Sequence, residues 1–279
     1  IFKKMSDYSS QQKNNLDFFG VSGETGSFIN CSGSLKRPSN FKTCPMDYKA
    51  LKELVRQGEG KRVEFKLKTN HPEKIVREVV AFANTDGGRL LIGNGDDRTI
   101  KGLKYVDEDE YLLTRAIEKY CSPGIEYSID RIPVGEERDV LVFTVYPSKG
   151  RPHYVLQEAE HPRVNTTFVR KKYVPQKNTN QVRKAYVRVA DKSIQASWEM
   201  REILRRKSDD RNVQFRYGEK ERKLMQHWDH HQSVTVDVLA TIANIPRNLA
   251  SKTLVLLVLA NVLEVHPDEV VDRFTVAGF

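Results

Sequence analysis

The segment that most constrains this chain is residues 81–93, Ala-Phe-Ala-Asn-Thr-Asp-Gly-Gly-Arg-Leu-Leu-Ile-Gly. Before it, apolar residues at Ile75, Val76, Val79, Val80 and Phe82 recur at the spacing of a helix with one buried face, predicting a helix over 73–84. Gly87 and Gly88 break that helix, Leu90-Leu91-Ile92 reads as a short buried strand, and Gly93 ends it. Glycines permit positive φ and close backbone approach. Asn84, Thr85 and Asp86 carry side chains suited to capping exposed backbone groups. Asn84, Gly87, Gly88 and Gly93 are therefore expected to build a tight helix-to-strand turn. The chain contains neither Gly-Lys-Ser or Gly-Lys-Thr nor a complete G-x-G-x-x-G, so this turn is not a Walker-type phosphate loop.

Around that turn the pattern is mixed. Residues 46–57 read as an amphipathic helix with Leu51, Leu54 and Val55 on one face, and 62–68 alternate as a strand. A helix is expected over 107–120, and strands over 140–146, 167–170 and 185–189. A further helix is expected over 197–207. The fold class is α+β, with a first domain over 46–207 and a polar linker over 208–218. Residues 219–279 read as helices over 219–231, 235–243 and 247–261, then short strands over 262–265 and 272–276. That is the order of elements in a winged helix. Residues 1–45 are rich in Ser, Asn, Gly and Gln without periodicity, and are expected to be disordered. The first residue is Ile and Met46 opens the first periodic element, so a start at Met46, with 1–45 as a non-native extension, is an expectation.

Charge narrows the class of partner. The net charge is +9. Residues 149–192 hold eleven Lys and Arg against three acids, a local excess of eight that matches most of the total. Tyr154, Phe168, Tyr173 and Tyr186 interleave with these cations, a combination suited to a phosphate backbone and stacked bases. Candidate nucleic-acid contacts are Lys66, Arg151, Arg170, Lys171, Lys172, Lys177, Arg183, Lys184 and Arg188. In the C-terminal part, Arg247, Asn248 and Lys252 stand at the start of the candidate recognition helix, where Arg and Asn can read base edges. That part carries six Lys and Arg against eight acids, which argues for packing as much as for DNA reading. The run Leu254, Val255, Leu256, Leu257, Val258 and Leu259 is apolar on every face, so it calls for deep burial, in a homodimer interface or otherwise.

Cys31, Cys44 and Cys121 have no disulfide or zinc spacing, and fit a reducing compartment. No apolar run is long enough to span a membrane, and no apolar segment follows Lys3 and Lys4 as in a secretory signal; a cytoplasmic protein without membrane contact is expected. His227, His230 and His231 share a predicted helix with Asp229 and could ligate metal, although a solvated helix end is the simpler reading. Cys121 reads as a buried helix-end residue rather than a nucleophile.

Three ordered blocks resemble the Schlafen-like, AlbA-type domain family, described as DNA-binding. They are Glu-Gly-Lys-Arg-Val-Glu-Phe-Lys over 59–66, the Phe-Ala-Asn-x-x-Gly-Gly core within 81–93, and Asp-Asp-Arg-Thr-Ile-Lys-Gly over 96–102. Residues 185–189 make a weaker fourth match. Asn94 and Arg98 depart from the pattern, standing where the family usually has an apolar residue and often has Gly. The resemblance implies nucleic-acid binding, DNA before RNA, in a transcriptional regulator or defence-type protein. In the animal Schlafens two glutamates and an aspartate form a metal-dependent RNase site. The matching positions are Glu59, Glu64 and Asp96, with Asp97 as the alternative. Three such carboxylates can hold Mg²⁺ or Mn²⁺ and activate water. Pairing with Lys61, Arg62 and Lys66 is the competing use of the same carboxylates. Relatives are also labelled ATP-binding, a reading to which a chain without a P-loop lends little support.

Overall fold

The run Leu90-Leu91-Ile92 lies inside a four-stranded sheet in the computed structural model, which describes residues 46–158, 181–207 and 217–278. Helix α1 (Tyr48–Gln57) precedes β1 (Val63–Lys66); α2 (Pro72–Asn84) and β2 (Gly88–Ile92) complete a βαβ unit. Helix α3 (Val106–Tyr120), the short β3 (Cys121–Ser122), β4 (Tyr127–Gly135) and β5 (Arg138–Val145) follow. The sheet order is β1-β2-β5-β4; β1 and β2 are parallel, the other pairs antiparallel. Strand period two sorts the side chains to two faces. Leu90, Ile92, Leu141 and Phe143 pack with Val76, Val79 and Phe82 of α2 and with Leu113 and Ile117 of α3. Leu91, Val140 and Val142 pack on the other face with Leu51 and Val55 of α1. A near-continuous apolar strand is what a sheet covered on both sides requires.

Downstream, β6 (Tyr154–Glu158) pairs with β3 and with β7 (Gln181–Lys184), and β8 (Tyr186–Val189) forms a hairpin with β9 (Lys192–Gln195). Helix α4 (Trp198–Lys207) then joins two cores. Its Leu204 packs with Ala185, Val187 and Ala196, and its Ile203 packs into the C-terminal core. That core is built by α5 (Glu219–Trp228), α6 (Val236–Ala243), α7 (Arg247–Leu259) and the antiparallel β10 (Leu263–His266) and β11 (Arg273–Val276). Leu254, Val255, Leu257 and Val258 of α7 are buried there, so the apolar run finds its cover within its own chain and needs no dimer for it. Ser251 donates to Glu199 at 2.6 Å and Ser197 to Asp272 at 2.5 Å, tying α4 to the C-terminal elements. The helix that ends at Lys207 is thus shared by both cores.

The expected helix over 219–231 ends at Trp228, because Asp229, His230 and His231 turn away from it. Strand β4 is absent from the sequence reading. It is an edge strand in which Ile132 is buried and most of its other residues are half-exposed or exposed, so it lacks a clean alternation. The strand expected over 167–170, the extension over 1–45 and most of the expected linker lie outside the described residues. Among the described residues no helix is long and apolar enough to cross a membrane.

Two fully buried asparagines make a natural comparison. Asn84 is completely used: its amide donates to the carbonyls of His153 at 3.0 Å and Tyr186 at 2.9 Å, and its oxygen accepts from the His153 N–H at 2.7 Å. Asn94, where the family usually has an apolar residue, is equally buried, yet neither its amide nitrogen nor its oxygen has a partner among the described residues. An unsatisfied buried amide costs about 1–3 kcal/mol, and a shape-matched apolar side chain removes that cost. In urea unfolding, Asn84→Ala is therefore expected to lose roughly 2–4 kcal/mol and Asn94→Val to gain on the order of 1 kcal/mol. Shifts of the same sign in both variants would contradict this assignment.

Candidate functional site

The turn at 84–88 owes its shape to steric necessity. A Cβ at Gly88 would lie 2.3 Å from the Phe82 ring, and Gly87, at φ +72°, has the Val145 carbonyl oxygen where a side chain would go, 2.7 Å away. Asn84 clasps this turn to β8 and to the segment entering β6, and Gly93 closes the far end of β2 by donating to Lys66 O at 2.8 Å. All four turn residues therefore serve the fold. Arg98 takes φ +64°, which explains glycine at the matching family position. A side chain there costs about 1–2 kcal/mol, partly offset by its guanidinium donating to Arg56 O at 3.2 Å.

Behind the turn lies a buried charge cluster centred on Arg188. In β8, period two puts Tyr186 and Arg188 on the face toward α2, while Val187 faces α4. The Arg188 side chain is only 1% exposed. It contacts Glu64 at 2.5 Å and Glu78 at 2.8 Å, donates to Gly60 O at 3.0 and 3.2 Å, and lies over the Phe82 ring. Ser193 donates to Glu78, and Lys66 pairs with Glu64 while donating to Phe65 O at 2.9 Å. Burial pushes the Glu78 carboxyl above the usual range, opposed by the Ser193 hydroxyl. Glu78 and Ser193 were not among the expected site residues; neither position carries a signal without knowledge of which face α2 turns to β8.

The three expected metal carboxylates do not gather. Glu59 is exposed and caps the backbone, accepting from Phe65 N at 2.8 Å. Glu64 is committed to Arg188 and Lys66. Asp96 is exposed in the turn beyond β2, beside Asp97, whose carboxyl is held below the usual range first by the Thr99 hydroxyl. Among the described residues no three His, Cys, Asp or Glu side chains form a group that could hold a metal ion. A divalent cation does not fit this donor set, because the most buried carboxylate already faces two fixed cations.

Of the expected nucleic-acid contacts, Arg188 is the clear correction: it is an interior residue whose donors are used by the fold. Lys66 is half-buried in the same cluster. Arg151 donates to Asn84 O and Thr85 O, both at 3.2 Å, at the C-terminus of α2. Arg183 is exposed, lies over the Tyr154 ring at 4.9 Å and donates to Ser122 at 3.0 Å; Lys184 is half-exposed beside it. Arg170, Lys171, Lys172 and Lys177 lie outside the described residues. On α7, Arg247, Asn248 and Lys252 are exposed, with Arg247 paired to Asp237 at 2.7 Å. Cys121 is buried and its thiol is pushed up to about 12, which removes the thiolate a nucleophile needs. His227 and His231 stack with centroids 4.0 Å apart at the end of α5.

The family model described as Schlafen, AlbA_2 matches residues 59–197, a span that runs from the Glu59 cap to the start of α4. Comparison with curated proteins finds no match.

Two stability experiments test this geometry. Removing one partner of a buried ion cluster strands the others, at about 3–5 kcal/mol. Arg188→Met leaves Glu78 without a cationic partner and Glu64 with Lys66 alone, so its urea-unfolding free energy is expected to drop by about that amount; a loss under 1 kcal/mol would show that the cluster is not closed. The second concerns His153, buried with Nδ1 2.9 Å from Pro123 O and with Nε2 lacking a partner among the described residues. Burial, with the nearby Arg151 charge, holds its imidazole below the ordinary value of 6.5. The unfolded chain then takes up a proton that the folded chain refuses, so stability is full above 6.5 and falls as pH drops below it. Between about pH 7.5 and about pH 5.5, His153→Gln is expected to lose less stability than the parent chain. Equal losses would rule His153 out as the group responsible.

Proposed function

Because the chain belongs, over residues 59–197, to the Schlafen, AlbA_2 family, we propose that it binds nucleic acid in the cytoplasm, DNA in first place. The observation that carries this reading is the excess of eight positive charges over residues 149–192, inside the family region; seven remain when the interior Arg188 is set aside. Phosphate contacts supply most sequence-independent affinity, and such a segment meets that requirement. The exposed Arg183 stacked over Tyr154 supports the same reading, since a guanidinium on an aromatic ring presents both charge and a flat surface.

The C-terminal part fits a supporting role of the winged-helix kind. Three helices precede a two-stranded hairpin, Val234 bridges Phe274 as a third strand would, and α7 presents Arg247, Asn248 and Lys252 to solvent. Its local charge is less favourable to DNA than that of the first domain. A chain that positions nucleic acid in this manner suits regulatory or defensive work. Binding rather than metal-dependent RNA cleavage is favoured because Glu64 is held by Arg188 and Lys66.

Fluorescence anisotropy with labelled duplex DNA, single-stranded DNA and RNA tests the reading. If roughly four phosphates are engaged, affinity for duplex falls about a hundredfold between 50 and 200 mM salt. No binding to any of the three probes, or an affinity indifferent to salt, would remove nucleic acid as the ligand.

A further inference from the structure

The sequence draws attention to cations after residue 149, but the fold carries two more to the same place. Residues 60–63 form a tight turn in which Gly60 N–H donates to Val63 O at 3.0 Å and Val63 N–H to Gly60 O at 3.4 Å. The turn is fastened from both sides. Arg188 donates to Gly60 O from the interior, and Glu59 holds Phe65 N–H just beyond it. Its tip is Lys61-Arg62, both exposed. Lys61 reaches across to Asp86 in the glycine turn at 2.6 Å. A third segment arrives from beyond β5: Ser148 N–H donates to Ala83 O at 3.0 Å, which sets the exposed Lys149 and the helix-capping Arg151 beside the end of α2. Lys61 first, then Arg62 and Arg151, draw the Asp86 carboxyl below the usual range, so these groups share one electrostatic neighbourhood. Among the described residues neither Arg62 nor Lys149 has a carboxylate partner within salt-bridge distance.

Resting on the reading above, we propose that Lys61, Arg62, Lys149 and Arg151 form a preorganised phosphate grip for the nucleic-acid backbone, with Asp86 as its internal competitor. The grip is preorganised because its leading turn is anchored to a buried ion cluster, so little ordering is lost when a phosphate arrives. Asp86 keeps Lys61 in place when no phosphate is present, and an incoming phosphate must displace that carboxylate to use the lysine. The acid thus lowers affinity while fixing geometry.

The test uses the full chain and the three anisotropy probes. Arg62→Gln/Lys149→Gln removes two exposed charges that take no part in the buried cluster. Its affinity is expected to fall about tenfold or more, and the log-log salt slope to shallow by about two, on each probe that the parent chain binds. Asp86→Asn keeps the turn chemistry and removes the competitor, so it is expected to bind several-fold more tightly. Thermal midpoints near the parent's confirm that both variants fold. If the parent binds but the double variant keeps its affinity and slope, or if Asp86→Asn binds more weakly, the grip is elsewhere and this inference fails while the wider reading survives. If the parent binds none of the probes, both fail together.

Discussion

A guanidinium with almost no exposure to solvent organises this molecule. Arg188 sits on β8, yet its partners come from residues 60–64, in β1 and the turn before it, and from α2, so two separated stretches of chain meet on one side chain. Burying that charge is unfavourable in isolation and becomes tolerable because two carboxylates, a carbonyl and an aromatic face surround it. The planar fork of arginine suits this task; a lysine could not reach the same partners at once. Specificity of packing follows, since few arrangements of β8 against α2 leave every one of these groups satisfied.

The same cluster recasts the acidic residues of the family blocks. Glu59 and Glu64 read equally well from sequence as metal ligands or as partners of neighbouring cations. In this fold Glu59 caps the backbone, and Glu64 pairs with Arg188 and Lys66. Their effect reaches the surface indirectly, through the carbonyl of Gly60 and the conformation of the turn that follows it. Chemistry and architecture are therefore hard to separate in this family by motif alone, because a carboxylate at a given spacing can serve either.

Much of the scaffold is legible in the sequence. Helical periodicity marks α2 and α3, and the apolar runs mark β2 and β5, because these elements bury continuous surface. The glycine turn is legible for the same reason: its residues leave few conformations open. Strand β4 is not, since an edge strand with little buried surface imposes no pattern. Arg188 is misread as a surface cation because a charged residue in a short strand looks solvated until the covering helix is known. Glu78 and the Lys61–Asp86 pair escape notice because they arise from contacts between segments far apart in the chain or across a turn. The apolarity of α7 is visible at once, but whether a partner chain or its own neighbours cover it is a question only the packing answers.

Helix α4 carries a consequence for how the whole chain holds together. Adjacent residues Ile203 and Leu204 point into two different apolar cores, and Glu199 and Ser197 tie the same helix to α7 and to the approach to β11. Such a helix acts as a shared wall rather than a hinge. Loosening the C-terminal core strips cover from the hairpin that presents Arg188, and unfastening that hairpin withdraws support from the C-terminal helices. The two cores that share this helix are thereby made mechanically answerable to one another.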